Sequence, residues 1–189
     1  MSRQRWSALI SWTSFALLLM SVGLNTLQAR RIRDLIEPQS KSSSRVGQMA
    51  GPLAGLTLEG QKRVVRFDDR QPTVLYFFSP TCRWCEENWD NVRTLAEASS
   101  ARFRFLAVAT ESNLTEYVHR HRLNFDILVG VVPENLTMFG LGATPHTLVI
   151  SSQGQISHEW RGAYQGRSQR AIESFFDIRL PGLVRPKGR

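Results

Sequence analysis

The sequence predicts an α/β domain with a mixed central sheet and helices on both of its faces, preceded by one transmembrane helix. Two observations predict this. Between residues 51 and 180, apolar runs with strand character alternate with segments of helical periodicity, which is typical of a sheet covered by helices. Near the N-terminus, the 24 residues from Trp6 to Ala29 carry no charge, and a helix of that length is long enough to cross a bilayer.

The uncharged segment has three interpretations. A soluble core helix would normally show a polar stripe, which is absent here. A cleaved signal peptide would place Ala29 at the cleavage position, but Leu27, two residues earlier, is a poor match to the small residue expected there. We therefore favour an uncleaved anchor. The predicted organisation is a tail (residues 1–5), the anchor or signal peptide (6–29), a Ser-rich linker (30–50), the α/β domain (51–180) and a basic tail (181–189).

The orientation of the anchor is less well specified. Arg3 and Arg5 precede it, while Arg30, Arg31 and Arg33 follow it, so a count of positive charges does not favour a cytoplasmic N-terminus. The very short tail before a signal-like segment favours export of the part that follows. We expect a single-pass protein of the inner membrane, with its domain facing the periplasm or the outside.

The first elements of the domain surround its central strand. A hairpin is expected from Leu56–Leu58 and Arg63–Phe67. The continuous apolar run Thr73–Phe78 is typical of a strand covered on both faces. A helix is expected from about Cys82, because apolar residues recur there at helical spacing. These residues are Cys85, Trp89, Val92 and Ala96.

The alternation continues to the end of the domain. Short apolar runs predict four further strands, Phe103–Ala109, Ile127–Val129, His146–Ile150 and Ile156–Trp160. Polar segments with apolar residues at helical spacing predict three further helices, Asn113–Arg122, Glu134–Phe139 and Ser168–Leu180. The resulting order is β-β-β-α-β-α-β-α-β-β-α, which predicts a mixed sheet.

The candidate chemistry lies in Cys82-Arg83-Trp84-Cys85. With two cysteines in the chain, a multi-disulfide scaffold and a four-cysteine zinc site are excluded. The pair follows a buried strand and opens a helix, where free backbone N–H groups and the helix dipole stabilise a thiolate. Cys82 is therefore the candidate nucleophile and Cys85 the resolving cysteine. An inert disulfide, or two buried thiols, is the structural alternative.

Three neighbouring residues are candidates for substrate binding. Arg83 and Trp84 are expected to be exposed at the motif and to influence which disulfide docks, although Trp84 packed on the domain surface is an equally good interpretation. Pro145 stands directly before the predicted strand His146–Ile150, where a ladder N–H would be expected. A cis Thr144–Pro145 peptide would explain it, and an ordinary trans loop proline is the alternative.

Together, the strand, the Cys82–Cys85 motif, its helix and Gly142–Ile150 resemble the thioredoxin superfamily. The resemblance covers about residues 51–180 and is closest to the membrane-anchored TlpA/ResA-like thiol–disulfide oxidoreductases. It implies a thioredoxin fold with an α-β insertion at Ser112–Val129, a redox-active cysteine pair and a cis Pro145. It also implies that Thr144 contacts the substrate backbone. The implied partners are protein disulfides or dithiols and a membrane or soluble redox protein that recycles the pair. No cofactor and no metal are expected.

Several positions depart from that family's pattern. Thr81 stands before the first cysteine, where Trp is usual, and no proline precedes Cys85. Tyr76 occupies the place of thioredoxin's buried carboxylate, six residues before the first cysteine, and Asn88 occupies the place of a frequent Glu, three residues after the second. The proton acceptor for Cys85 is therefore left open.

Two other functions fit parts of the same sequence. A peroxidase on the same fold would resemble Pro-x-x-x-Thr-x-x-Cys, but Leu75 and Ser79 stand where Pro and Thr would be. A copper or other metal chaperone would use Cys82, Cys85 and a histidine, for which only His146 is placed close enough. The three other histidines are expected on solvated faces; they are His119, His121 and His158.

The net charge of +8 invites a nucleic-acid interpretation. Residues 1–45 carry seven basic and two acidic residues, residues 185–189 carry three basic ones, and the residues between carry fourteen of each sign. The domain is thus neutral and shows no stripe of basic and aromatic residues. No nucleic-acid partner is expected.

Overall fold

The structure, a computed structural model, describes residues 18–28, 44–68 and 71–184. The chain divides after Ser43 into two units. The first contains helix α1 (residues 18–28), whose side chains are exposed. In the part of the chain that the structure describes, every helix is too short or too polar to cross a membrane. The predicted anchor (6–29), the linker (30–50) and the basic tail (181–189) lie partly outside the described residues, and the tail 1–5 lies entirely outside them.

The second unit opens with an antiparallel hairpin and continues with a five-stranded sheet. The hairpin strands are β1 (Leu53–Leu56) and β2 (Lys62–Val65). The sheet strands are β3 (Thr73–Phe78), β4 (Arg104–Ala109), β5 (Asp126–Leu128), β6 (His146–Ile150) and β7 (Ile156–Arg161). Their spatial order is β5-β4-β3-β6-β7. β3 is parallel to β4 and antiparallel to β6, so the predicted mixed sheet is confirmed.

Helices cover both faces of the sheet. They are α2 (Arg83–Ser99), α3 (Thr115–His121), α4 (Pro133–Met138) and α5 (Gly166–Phe176). All six residues of β3 are buried, and they alternate between two cores because successive strand side chains point to opposite faces. One core contains apolar residues of α2, α3 and α5, and the other contains residues of the hairpin and of the α4 segment.

Two predicted elements differ from the structure by more than two residues at an end. The first hairpin strand lies at Leu53–Leu56 rather than at Leu56–Leu58, because Leu53 and Val65 pair and bury their side chains while Thr57–Gln61 forms the turn. The last helix ends at Phe176 rather than at Leu180, because Asp177 adopts a left-handed conformation with φ of 56°.

Candidate active site

The cysteine motif joins the end of β3 to the start of α2. Cys82 is the N-cap residue of the helix. Its backbone N–H donates to the Ser79 carbonyl at 3.1 Å, and its own carbonyl accepts from the N–H of Cys85 at 3.0 Å. Both cysteines are free thiols; Cys82 is partly exposed and Cys85 is buried. The predicted division into an accessible and a shielded cysteine matches this burial.

The surroundings of Cys82 favour its thiolate. Partial burial acts to raise the pKa, but hydrogen bonds from the Thr144 side chain, from the Cys85 thiol and from the backbone N–H groups of Cys85 and Trp84 outweigh it. The pKa of Cys82 therefore lies below its ordinary value. The start of a 17-residue helix is also where the helix dipole favours negative charge.

The surroundings of Cys85 have the opposite effect. Burial raises the pKa of Cys85 far above its ordinary value, and the neighbouring Cys82 adds to the rise. A hydrogen bond from the Ser79 backbone acts against it. The site thus favours ionisation of the Cys82 thiol and disfavours ionisation of the Cys85 thiol.

Thr144 and Pro145 lie directly against the accessible cysteine. The Thr144–Pro145 peptide is cis, and the Cys82 thiol donates to the Thr144 carbonyl at 3.2 Å. Cys82, Cys85 and Thr144, predicted from separate parts of the sequence, are therefore gathered at one edge of the sheet.

Arg83 and Trp84 form an exposed surface beside Cys82. The Trp84 side chain is 46% exposed. The Arg83 guanidinium lies 5.8 Å from the centre of the Trp84 ring, and its Nε donates at 2.7 Å to the buried carboxylate of Glu87. Glu87 therefore restricts Arg83 to the rim of the motif, where both side chains are available to a docking partner.

A neutral polar network takes the place of a buried carboxylate next to Cys85. The Asn88 amide donates to the Tyr76 hydroxyl at 3.3 Å, and its oxygen accepts from the Tyr164 N–H and the Asn91 amide, both at 3.0 Å. The Tyr164 hydroxyl lies 2.8 Å from the Thr147 hydroxyl. Burial raises the pKa of Tyr76 well above its ordinary value, and Cys85 adds to the rise. All five side chains are thus uncharged at neutral pH.

Ser79 and Glu111 meet at the site, although the sequence raised Ser79 only against a peroxidase and did not single out Glu111. Ser79 is 9% exposed, and its hydroxyl donates to the Glu111 carboxylate at 2.8 Å. The same hydroxyl accepts from the Thr81 N–H at 3.2 Å. The sequence did contain a signal for the position of Glu111. This residue closely follows the strand predicted to end at Ala109, and the carboxyl ends of adjacent parallel strands meet at one edge of a sheet.

The segment Ser112–Val129, expected as an insertion, contains α3 and β5, and α3 packs on the cysteine helix. The Trp89 indole N–H donates to the Tyr117 hydroxyl at 2.8 Å. His121 was predicted on a solvated face, and this is wrong. Its side chain is 13% exposed, and its ring packs against those of Tyr117 and Trp89, with centroid distances of 4.3 Å and 6.0 Å. Aromatic packing onto the helix explains the difference.

The other three histidines differ in how far they are buried. His146 is 1% exposed, and its Nε2 lies 3.0 Å from a Glu159 carboxylate oxygen. His119 is exposed, as predicted, but His158 is half-buried against Trp160 and Phe175, which corrects its expected solvated position. Within the described ranges, no group of three or more His, Cys, Asp or Glu side chains is arranged to hold a metal ion.

Comparisons with known proteins found a curated relative and solved structures with the same fold. No protein-family model matches the sequence. The thiol–disulfide oxidoreductase ResA of Halalkalibacterium halodurans is 26% identical over 145 residues, which cover 75% of this chain and 81% of that protein. Two solved structures share the fold. The thioredoxin domain of a thiol–disulfide oxidoreductase from Bacteroides vulgatus is 18% identical, with a TM-score of 0.58 over 71% of this chain and 99% of that one. StoA from Bacillus subtilis is 18% identical, with a TM-score of 0.54 over 66% and 96%.

Proposed function

Given that the chain is a thioredoxin-like thiol–disulfide oxidoreductase similar to the TlpA/ResA-like proteins, we propose that Cys82 and Cys85 exchange two electrons with protein disulfides through a mixed disulfide on Cys82. The observation that carries the proposal is the opposite shift of the two thiols. The accessible Cys82 has a lowered pKa and the buried Cys85 a raised one. A nucleophile needs the first property, and a resolving cysteine can have the second.

In the first step the Cys82 thiolate attacks one sulfur of a substrate disulfide. The substrate S–S bond breaks, a bond forms between Cys82 Sγ and that sulfur, and the other substrate sulfur leaves as a thiolate that takes up a proton from solvent. The cis peptide carbonyl of Thr144, 3.2 Å from Cys82 Sγ, is placed beside the incoming chain. Arg83 and Trp84 supply the exposed surface on which the flanking substrate residues rest.

In the second step Cys85 loses its proton and attacks Cys82 Sγ. The mixed disulfide breaks, the second substrate thiolate leaves, and the proton given up by Cys85 balances the one this thiolate gains. The substrate is then a dithiol, reduced by two electrons, and the Cys82–Cys85 pair is a disulfide. A dithiol partner must reduce the pair again before the next turnover. Reversing both steps oxidises a substrate dithiol.

Two substitutions test the assignment. Cys82→Ser is expected to abolish reduction of a peptide disulfide in the presence of a dithiol reductant. Cys85→Ser is expected to stop after the first step and to accumulate a covalent adduct, detected as a mass increase that a reductant removes. A Cys82→Ser protein that reduces the peptide as fast as the wild type would contradict the proposal.

The direction of the reaction follows from the reduction potential of the pair in a glutathione or dithiothreitol buffer. A value near −300 mV would assign a reductase, and one near −120 mV an oxidant, on the scale spanned by thioredoxin-like proteins.

The proposed location is the inner membrane, with the domain tethered on its outer side and recycled by a membrane or soluble redox partner. The uncharged stretch Trp6–Ala29 and the Ser-rich linker that follows support it. A reporter enzyme that is active only outside the cytoplasm, fused to the C-terminus, tests the orientation. Activity of the fusion in membranes is the expected result, and activity only of a cytoplasmic reporter would reject it.

A further inference from the structure

The backbone of Ser79 contacts both cysteines of the pair. Its carbonyl accepts the Cys82 N–H at 3.1 Å, and its backbone is hydrogen-bonded to the Cys85 thiol in the sense that favours the Cys85 thiolate. Ser79 follows the last residue of β3, so strand pairing does not fix its conformation. Its side chain, which is nine-tenths buried, makes further hydrogen bonds that hold it in place.

The Ser79 side chain is held by one carboxylate. Its hydroxyl donates to Glu111 Oε1 at 2.8 Å. The other Glu111 oxygen accepts from the Thr110 hydroxyl. With its proton committed to Glu111, the Ser79 oxygen accepts from the Thr81 N–H at 3.2 Å and lies 2.9 Å from the Thr81 hydroxyl. The chain Glu111–Ser79–Thr81 therefore orders the loop that leads into Cys82.

We propose that Glu111 is a positioning residue for the cysteine pair and acts through the Ser79 hydroxyl. It accepts the Ser79 proton, and this fixes the Ser79 backbone between Cys82 and Cys85. The requirement is a hydrogen-bond acceptor at Glu111, not a negative charge. Loss of this acceptor is expected to slow the second step most. In that step Cys85 must ionise, and the hydrogen bond from the Ser79 backbone stabilises its thiolate.

The proposal rests on the function proposed above and is tested in reduced, full-length protein with a peptide disulfide as substrate. The rate of mixed-disulfide resolution is measured by rapid acid quench between pH 6 and 9. Ser79→Ala and Glu111→Leu are each expected to slow resolution about tenfold across this pH range, the effect of one lost hydrogen bond on a rate. Glu111→Gln keeps an acceptor and is expected to restore the wild-type profile. Glu134→Gln, at an exposed glutamate on α4, is the matched control.

A double substitution separates action through Ser79 from an independent role. If Glu111 acts through Ser79, adding Glu111→Leu to Ser79→Ala has no further effect. Full additivity, a Glu111→Gln protein as slow as Glu111→Leu, or a Glu111→Leu protein that resolves the mixed disulfide as fast as the wild type would each overturn the proposal. If Glu111→Leu does not fold, Glu111→Gln and Ser79→Ala still give the comparison. Failure of the proposed function would give a different result from failure of this proposal. In that case the wild-type protein itself would form no Cys82-dependent adduct with the peptide.

Discussion

The side-chain amide of Asn88 donates a hydrogen bond to the hydroxyl of Tyr76, and both side chains are fully buried. These are the two positions at which thioredoxin-like chains are expected to carry a carboxylate. Here an amide and a phenol bond each other, and neither is charged at neutral pH. The interior beside Cys85 therefore lacks, among the described residues of this network, a group able to accept the cysteine's proton.

The first prediction concerns the stability that this network provides. Asn88→Ala removes the partners of the Tyr76 hydroxyl and the Tyr164 N–H, and of one Asn91 amide proton. Buried polar groups left without a partner cost about 1–3 kcal/mol each, so the free energy of unfolding is expected to fall by roughly 2–4 kcal/mol, allowing for relaxation. Urea denaturation measures it. Asn113→Ala, at an exposed asparagine, is expected to change the same quantity by less than about 0.5 kcal/mol. Equal effects of the two substitutions would contradict the network's role.

The second prediction is a loss of stability at alkaline pH in the reduced protein. Burial raises the pKa of Cys85, Tyr76 and Tyr164 above their ordinary values. The unfolded chain releases these protons first, from about pH 8.5 for cysteine and about pH 10 for tyrosine. The folded state then holds more protons than the unfolded state, so the free energy of unfolding falls as pH rises.

Urea midpoints between pH 7 and pH 10.5 measure this slope. In Cys85→Ala the fall is expected to begin later, near the tyrosine range, because the cysteine contribution is gone. A Cys85→Ala protein whose stability falls from pH 8.5 as steeply as that of the wild type would show that another group is responsible.

The sequence was sufficient for the parts of the fold and site that depend on local pattern. The apolar run Thr73–Phe78 and the helical spacing of Cys85 and Trp89 predict their elements because each pattern reports burial directly. The cysteine pair and its division into accessible and buried members follow from helix geometry alone. Thr144 and Pro145 required the family resemblance, since nothing local indicates that they lie against Cys82.

The features that could not be predicted from the sequence depend on contacts between distant segments of the chain. Ser79 meets Glu111 because β3 and β4 are parallel with Phe78 opposite Ala109, and this register cannot be obtained from either segment separately. His121 packs on the aromatic rings of α2 and α3, whereas its polar neighbours in the sequence suggested a solvated position. Polar residues that are buried in networks, such as Asn88, resemble surface residues in the sequence.

The third prediction concerns the exposed Trp84. The side chain is 46% exposed, so Trp84→Ala is expected to change the free energy of unfolding by less than about 1 kcal/mol. If Trp84 contributes to docking, the same substitution raises KM for a protein disulfide several-fold, while the rate with a small disulfide such as oxidised β-mercaptoethanol is unchanged. Val64→Ala, at an exposed apolar residue of β2, is the matched control. Equal KM values for wild type and Trp84→Ala would place Trp84 outside the docking surface.

The fourth prediction concerns acid stability and His146. Burial lowers the pKa of His146, which the neighbouring Glu159 only partly offsets. Below about pH 6.5 the unfolded histidine binds a proton that the folded one does not, so the free energy of unfolding falls as pH decreases from 7 to 5.

His146→Gln keeps a hydrogen-bond donor for Glu159 but does not titrate, so it is expected to reduce this slope in urea denaturation. Part of the slope will remain, because burial also lowers the pKa of His121 and His158. His119→Gln, at an exposed histidine, is expected to leave the slope as it is. If both glutamine variants retain the full wild-type dependence of the free energy of unfolding on pH, that dependence arises from other groups. His146 would then bind its proton as readily in the folded state as in the unfolded state.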